Sequence, residues 1–337
     1  MPQLPYAAPS SARGPSLALC AALALATAPT FASAAAGCLA TASHIPPPPR
    51  ALAMAALARQ EHAAFDGQTM DAEGRLTESG ISEAEDVRSA PGEPPAWQRV
   101  LRYWHAVDPP HERLPHLVRF GAQHAADRTL LTEALNQASA AGLQGLNPSD
   151  QRALEVALQR VAVIDTPWSA AFISWVAREA GLGADEFVFS EAHVDYAGAA
   201  WQAGVDEAAG RATPQALRAC DLTRTPPRPG DLVCQARGAR GAALDSYERI
   251  GEALAGRPTG GAPLPMHCDV VVNVDDTGFD AVGGNVLQSV TLRRLAFAPG
   301  TRLLDASYLP EGCTTGGVAC VDRHMSRQPW SLLLQWR

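Results

Sequence analysis

The hydrophobic pattern of this chain changes period once, at Pro226-Pro227-Arg228-Pro229-Gly230. Before that point apolar residues recur at helical spacing in 51–65 (ALAMAALARQEHAAF) and 96–106 (AWQRVLRYWHA), and further helices are expected at 126–142 and 149–163. After it, short β-rich runs take over: Asp231 to Cys234, Cys268 to Val274 and Gly278 to Gly284. Asp275-Asp276-Thr277-Gly278 supplies the hairpin turn between the last two, and 285–295 and 330–336 are later strand candidates. Helices followed by an antiparallel sheet are the α+β pattern.

The first fifty residues stand apart from this pattern. Arg13 is followed by an uncharged stretch from Ser16 to Ala36, interrupted by Pro29 and ending in small residues. Such a run reads as a secretory signal rather than a spanning helix, so export to a bacterial periplasm or envelope is expected. Two processing patterns compete. Ala32-Ser33-Ala34 fits signal peptidase, whereas Ala35-Ala36-Gly37-Cys38 resembles a lipobox with Ala where Leu is usual. The second makes Cys38 a lipidation candidate, and that anchor would be the sole link to a membrane; otherwise Cys38 is an ordinary cysteine of an Ala-rich tail or part of a disulfide. The expected organisation is a signal peptide over 1–37, a linker over 38–50 stiffened by four prolines, a helical region over 51–160 and an α+β domain over 161–337.

Charge narrows the partners. The chain carries 27 Lys+Arg, all of them Arg, against 35 Asp+Glu, a formal charge of −8, and it has no basic run. Phosphate backbones need a concentrated basic face, so nucleic acid is not an expected partner. Of the cysteines, 20 lies in the signal and 38, 220, 234, 268, 313 and 320 would meet an oxidising compartment. Cys313 and Cys320 flank Thr314-Thr315-Gly316-Gly317, a loop short enough to close, and are expected to pair. Zinc is the rival, but no CxxC and no His at ligand spacing accompany them, so neither a metal nor another cofactor is expected.

The most informative run is Thr166-Pro167-Trp168-Ser169 leading into a helix that buries Phe172, Ile173 and Val176 and ends near Gly181. With Thr166 as N-cap and Pro167 at the first helical position, Ser169 falls at about the third residue, where free amides and the positive dipole end favour a nucleophile. A serine there is more commonly a capping or solvent-facing group. Ser190 to Tyr196 follows with His193 and Asp195, polar candidates for a cleft wall or for helix capping. Between Cys234 and His267 lies a glycine-rich excursion with Asp245–Ala255 helical, placed to overhang a cleft as a lid or partner loop. Arg237 at its root is a candidate anion contact.

Pro167-Trp168-Ser169-Ala170-Ala171-Phe172 with Ser174-Trp175, then Gly230-Asp231-Leu232-Val233, His267 ahead of a valine strand, and Gly283-Gly284-Asn285 together resemble the cell-wall amidohydrolases of the CHAP and NlpC type. More narrowly, PWSAAFIS, the Ser190–Tyr196 segment, GDLVC, HCD and GGNV…SV resemble the bacterial family called domain of unknown function 2272. The wider resemblance implies a papain-like domain over roughly 160–300 in which a helix-borne nucleophile meets a strand-borne His. Here Ser169 stands where those enzymes have Cys, and a hydroxyl needs a base placed to take its proton. The resemblance then implies Ser169 as nucleophile, His267 as general base, and Asn285 or Asp269 orienting the imidazole, with Trp168, His193, Asp195, Tyr196 and Arg237 as substrate contacts. It also makes Cys234 and Cys268 neighbours on adjacent strands, as a disulfide or as buried thiols. The function it implies is hydrolysis of an amide or peptide bond in a peptidoglycan fragment. The alternative is a non-catalytic relative that binds a muropeptide or an envelope protein.

Overall fold

The computed structural model describes Cys38 and residues 45–80, 82–87, 89, 91–107, 147–238, 243–309 and 325–337. The expected helix at 126–142 and the expected Cys313–Cys320 pair lie outside these residues.

The chain is α+β. An eight-stranded sheet has the order β2-β1-β7-β6-β5-β4-β8-β3, with β1 Thr69–Met70, β2 Leu76–Glu78, β3 Leu217–Asp221, β4 Leu232–Ala236, β5 Met266–Val274, β6 Gly278–Val286, β7 Ser289–Ala296 and β8 Trp330–Trp336. Every neighbouring pair is antiparallel except β1 with β7, which is parallel. Strands β1 and β2 fall between the helices expected at 51–65 and 96–106, inside the N-terminal region. They extend the sheet at its edge, where buried Gln68, just ahead of β1, accepts Leu292 N–H at its carbonyl and donates from its side chain to Thr291.

The strands alternate between two apolar cores, as period-two side chains must. Leu232, Cys234, Cys268, Val270, Val272, Val282, Leu332 and Leu334 join one core with the helices. Val233, Val271, Phe279, Ala281, Leu295 and Leu333 join the other with Trp330 and Tyr308. The helices in chain order are α1 Pro49–Ala64, α2 Ala96–Val107, α3 Pro148–Asp165, α4 Ser169–Glu179, α5 His193–Ala208 and α6 Tyr247–Leu254. Of these, α1 and α2 from the N-terminal region share the helix-side core with the sheet. Between them lies a buried polar link, in which Glu61 receives Arg99 at 3.0 Å and the Tyr103 hydroxyl.

Helix α4 is the central one, buried on most of its circumference at Ser169, Ala170, Ala171, Phe172, Ile173, Ser174, Val176 and Ala177. Its run of alanines lets α1, α2 and the sheet approach it closely. Its C-terminus is a Schellman motif: Gly181 sits at φ +85°, its N–H reaches Arg178 C=O, and Leu182 N–H reaches Ala177 C=O. The start differs from the sequence expectation. Thr166 is extended at φ −102°, ψ 128°, as the residue before a proline tends to be, and the N-cap is Trp168. Ser169 is therefore the first helical residue rather than the third.

Among the described residues two disulfides tie the fold, Cys38–Cys220 and Cys234–Cys268. The second joins directly opposed residues of β4 and β5. The first takes the disulfide alternative for Cys38: a sulfur bonded to Cys220 cannot also carry the thioether of a lipid anchor.

Candidate functional site

Ser169 opens α4 and His193 opens α5, and the two first turns face each other. The Ser169 Oγ lies 2.7 Å from His193 Nε2, a hydrogen bond between two groups that are each 5% exposed. On its other side His193 Nδ1 bonds the hydroxyl of Tyr196, one turn along α5. The first backbone bond of α4 runs from Phe172 N–H to Trp168 C=O, so the amides of Ser169, Ala170 and Ala171 precede it and have no intrahelical acceptor. A hydroxyl, an imidazole aligned by a second hydrogen bond, and three helix-start amides thus converge within one turn of Ser169.

The sequence had pointed to a different imidazole. His267, fully buried, presents Nε2 to Asp269 Oδ1 at 2.6 Å, and Asp269 Oδ2 faces Arg293 at 3.1 Å. His267 meets His193 edge to face, ring centroids 5.3 Å apart. The contacts run Ser169, His193, His267, Asp269, Arg293, which leaves His267 one ring away from the hydroxyl it was expected to serve. The group placed to take the serine proton is His193.

Gly283 and Gly284 are explained by this crowding. A Cβ on Gly283 would lie 1.8 Å from Asp269 Oδ1 and 3.0 Å from His267 Nε2, and one on Gly284 would lie 2.6 Å from Phe172 Cβ and 2.8 Å from the Trp168 ring. Asn285, the other expected orienter, instead takes a left-handed conformation at φ 56° beside the β6–β7 turn. It makes no hydrogen bond to His267 among the described residues, and Asp269 holds the orienting position.

Burial and charge set the protonation states. Burial, reinforced by His267 and Arg237, holds the His193 imidazole well below its ordinary range, so it is neutral at pH 7. Burial also lowers His267, against the pull of Asp269. Burial pushes the Asp269 carboxyl up, but Arg293 and His267 outweigh it and hold the group at about 2. Burial raises the Tyr196 phenol, which stays protonated.

The remaining candidates are placed as follows. Trp168 is fully buried against Phe65 and Tyr103, so it is a core residue and not a substrate contact. Asp195 accepts Ser190 Oγ at 2.7 Å and Gly260 N–H at 3.2 Å, with Arg257 at 3.5 Å. It is thus engaged with the excursion between β4 and β5 rather than facing an open cleft. Arg237 is exposed just past the end of β4, two residues beyond Gln235, the residue opposite His267. Arg293 and Arg257 were missed, the first because it is one of two adjacent arginines in a strand and the second because it lies in a glycine-rich loop. Among the described residues, no group of three or more His, Cys, Asp and Glu side chains is arranged to hold a metal ion.

Residues 92–336 match the model of a family described as uncharacterized protein conserved in bacteria (DUF2272). The chain belongs to that family. No curated protein and no solved structure matches it. As a DUF2272 member the chain carries Ser169, His193, His267 and Asp269 all within the matched span.

Proposed function

We propose that this DUF2272 chain is an exported envelope hydrolase of amide or peptide bonds in peptidoglycan fragments, built on a papain-like arrangement with Ser169 in the place of a cysteine. The observation that carries the proposal is the 2.7 Å bond between Ser169 Oγ and His193 Nε2 at the start of α4. With the proton of the neutral imidazole on Nδ1 and donated to Tyr196, Nε2 accepts the Ser169 proton as Oγ attacks the carbonyl. The carbonyl oxygen, now negative, points to the helix-start amides. His193 then passes its proton to the leaving amine, and water releases the acyl group by the reverse path. Asp269, beyond His267, backs the imidazolium with a buried negative charge, and exposed Arg237 takes a carboxylate of the stem peptide.

A second reading is favoured by the burial itself: with Ser169 and His193 each 5% exposed, the domain binds a muropeptide or an envelope protein without cleaving it. Incubation of the oxidised protein with peptidoglycan and synthetic stem peptides separates the two. The hydrolase predicts turnover in the wild type that falls by about a thousandfold or more in Ser169→Ala and in His193→Gln. Turnover unchanged by Ser169→Ala would reject the nucleophile. Binding with no turnover in any form, including Ser169→Cys, would establish the second reading.

A further inference from the structure

We propose that residues 255–265 form a lid over the Ser169–His193 site, latched shut by Asp195; this rests on the hydrolase reading above. The geometry spans both imidazoles. At its root the excursion leaves β4 and enters β5 beside His267, closed by the bond from Arg237 N–H to Pro265 C=O at 2.8 Å. At its crest it meets the first turn of α5, where Asp195 lies between His193 and Tyr196. There Asp195 Oδ1 accepts Gly260 N–H at 3.2 Å and faces Arg257 at 3.5 Å, while Oδ2 takes Ser190 Oγ at 2.7 Å. Arg257 braces the crest from within by donating to Gly261 C=O at 2.9 Å.

The parts differ in how firmly they are held. Helix α6 is fixed on α5: the Tyr247 and Trp201 rings are 4.9 Å apart, and a Cβ on Gly251 would fall 2.0 Å from the Trp201 ring. From Ala255 onward the chain is mostly exposed, with only Arg257, Gly261 and Leu264 half-buried. Gly256 and Gly260 take φ +68° and +71°, conformations open to glycine, at the two ends of the crest. A segment with a firm base, few apolar contacts and one carboxylate latch is drawn from the low-stability end of the fold. Opening it would bare the turn that carries His193 and relieve the seal on Ser169.

The test uses the oxidised full chain as wild type, Asp195→Asn and Arg257→Gln, with two chemical probes. Carbethoxylation of His193 by diethyl pyrocarbonate reads access without needing a reactive serine, and a fluorophosphonate reads the nucleophilicity of Ser169. Asp195→Asn removes the carboxylate from both the ion pair and the Gly260 bond, and Arg257→Gln removes the ion pair and its brace on Gly261, so each is expected to speed His193 modification about tenfold. Hydrogen exchange should rise in 255–265 and not in β5. Equal His193 modification in wild type and both variants would overturn the lid. Faster His193 modification with no fluorophosphonate adduct in any form would keep the lid and reject the hydrolase.

Discussion

Ser169 and His193 are 24 positions apart on two different helices, yet one hydrogen bond joins their side chains. Around them individual residues are tightly specified. Gly283→Ala forces a methyl group onto the Asp269 carboxylate, whose neighbours are themselves buried, and is expected to cost about 2–3 kcal/mol in urea unfolding. Asp269 also gives a pH dependence of known sign. Its carboxyl lies at about 2 in the fold against an ordinary 3.8. Its contribution of about 2 kcal/mol is therefore present above pH 4 and lost as the pH falls toward 2. Denaturation followed from pH 5 to 2 should show this acid limb in the wild type and a flatter one in Asp269→Asn. The chemistry of the site was only half legible at this scale. Ser169 announced itself through the Pro-Trp-Ser helix start, and His193 was visible as a polar residue beside it. The pairing was not, because nothing in sequence spacing fixes which of two imidazoles on separate elements meets a hydroxyl.

Among the elements, the β6–β7 hairpin carries the clearest local cost. Leu287 and Gln288 form its two-residue tip at φ 53° and 58°, between the Val286–Ser289 pair. Residues with a Cβ pay about 1 kcal/mol each to sit there, where Asn and Gly fit readily. The double change Leu287→Asn, Gln288→Gly should raise stability by about 1–2 kcal/mol in thermal or urea unfolding, with Ala84 N–H still held by the carbonyl of residue 288. Without Asn-Gly at the tip, the sequence offered 285–295 as one strand, and the structure divides it. The Asp275–Gly278 turn was legible because Asp275 is a turn residue by chemistry: its carboxylate accepts Thr277 N–H and Gly278 N–H. Strand β3 (LRACD) and the two- and three-residue strands β1 and β2 were not, since runs this short carry no period. They exist because the sheet edge and β8 supply their partners.

For the whole molecule, the largest constraints are the covalent ones. Cys38–Cys220 closes a span of 182 residues and Cys234–Cys268 one of 34, and such loops are worth about 5 and 4 kcal/mol in chain entropy. Both point to an oxidising compartment, and no helix among the described residues is long and apolar enough to cross a membrane. Cys220→Ser should lower the urea midpoint markedly, and the mass of the exported wild type should show Cys38 without a diacylglyceryl group. The helices and the α+β order were readable from the period. The partnership of Cys38 with Cys220 was not, because residue 38 sits in a tail whose sequence reads as processing signal. The central claim, that His193 activates Ser169, is tested most directly by mapping the covalent adduct after fluorophosphonate treatment of the oxidised protein. The account predicts one adduct on Ser169 in the wild type and in His267→Gln, absent in His193→Gln and Ser169→Ala. An adduct that survives His193→Gln and disappears in His267→Gln would contradict it.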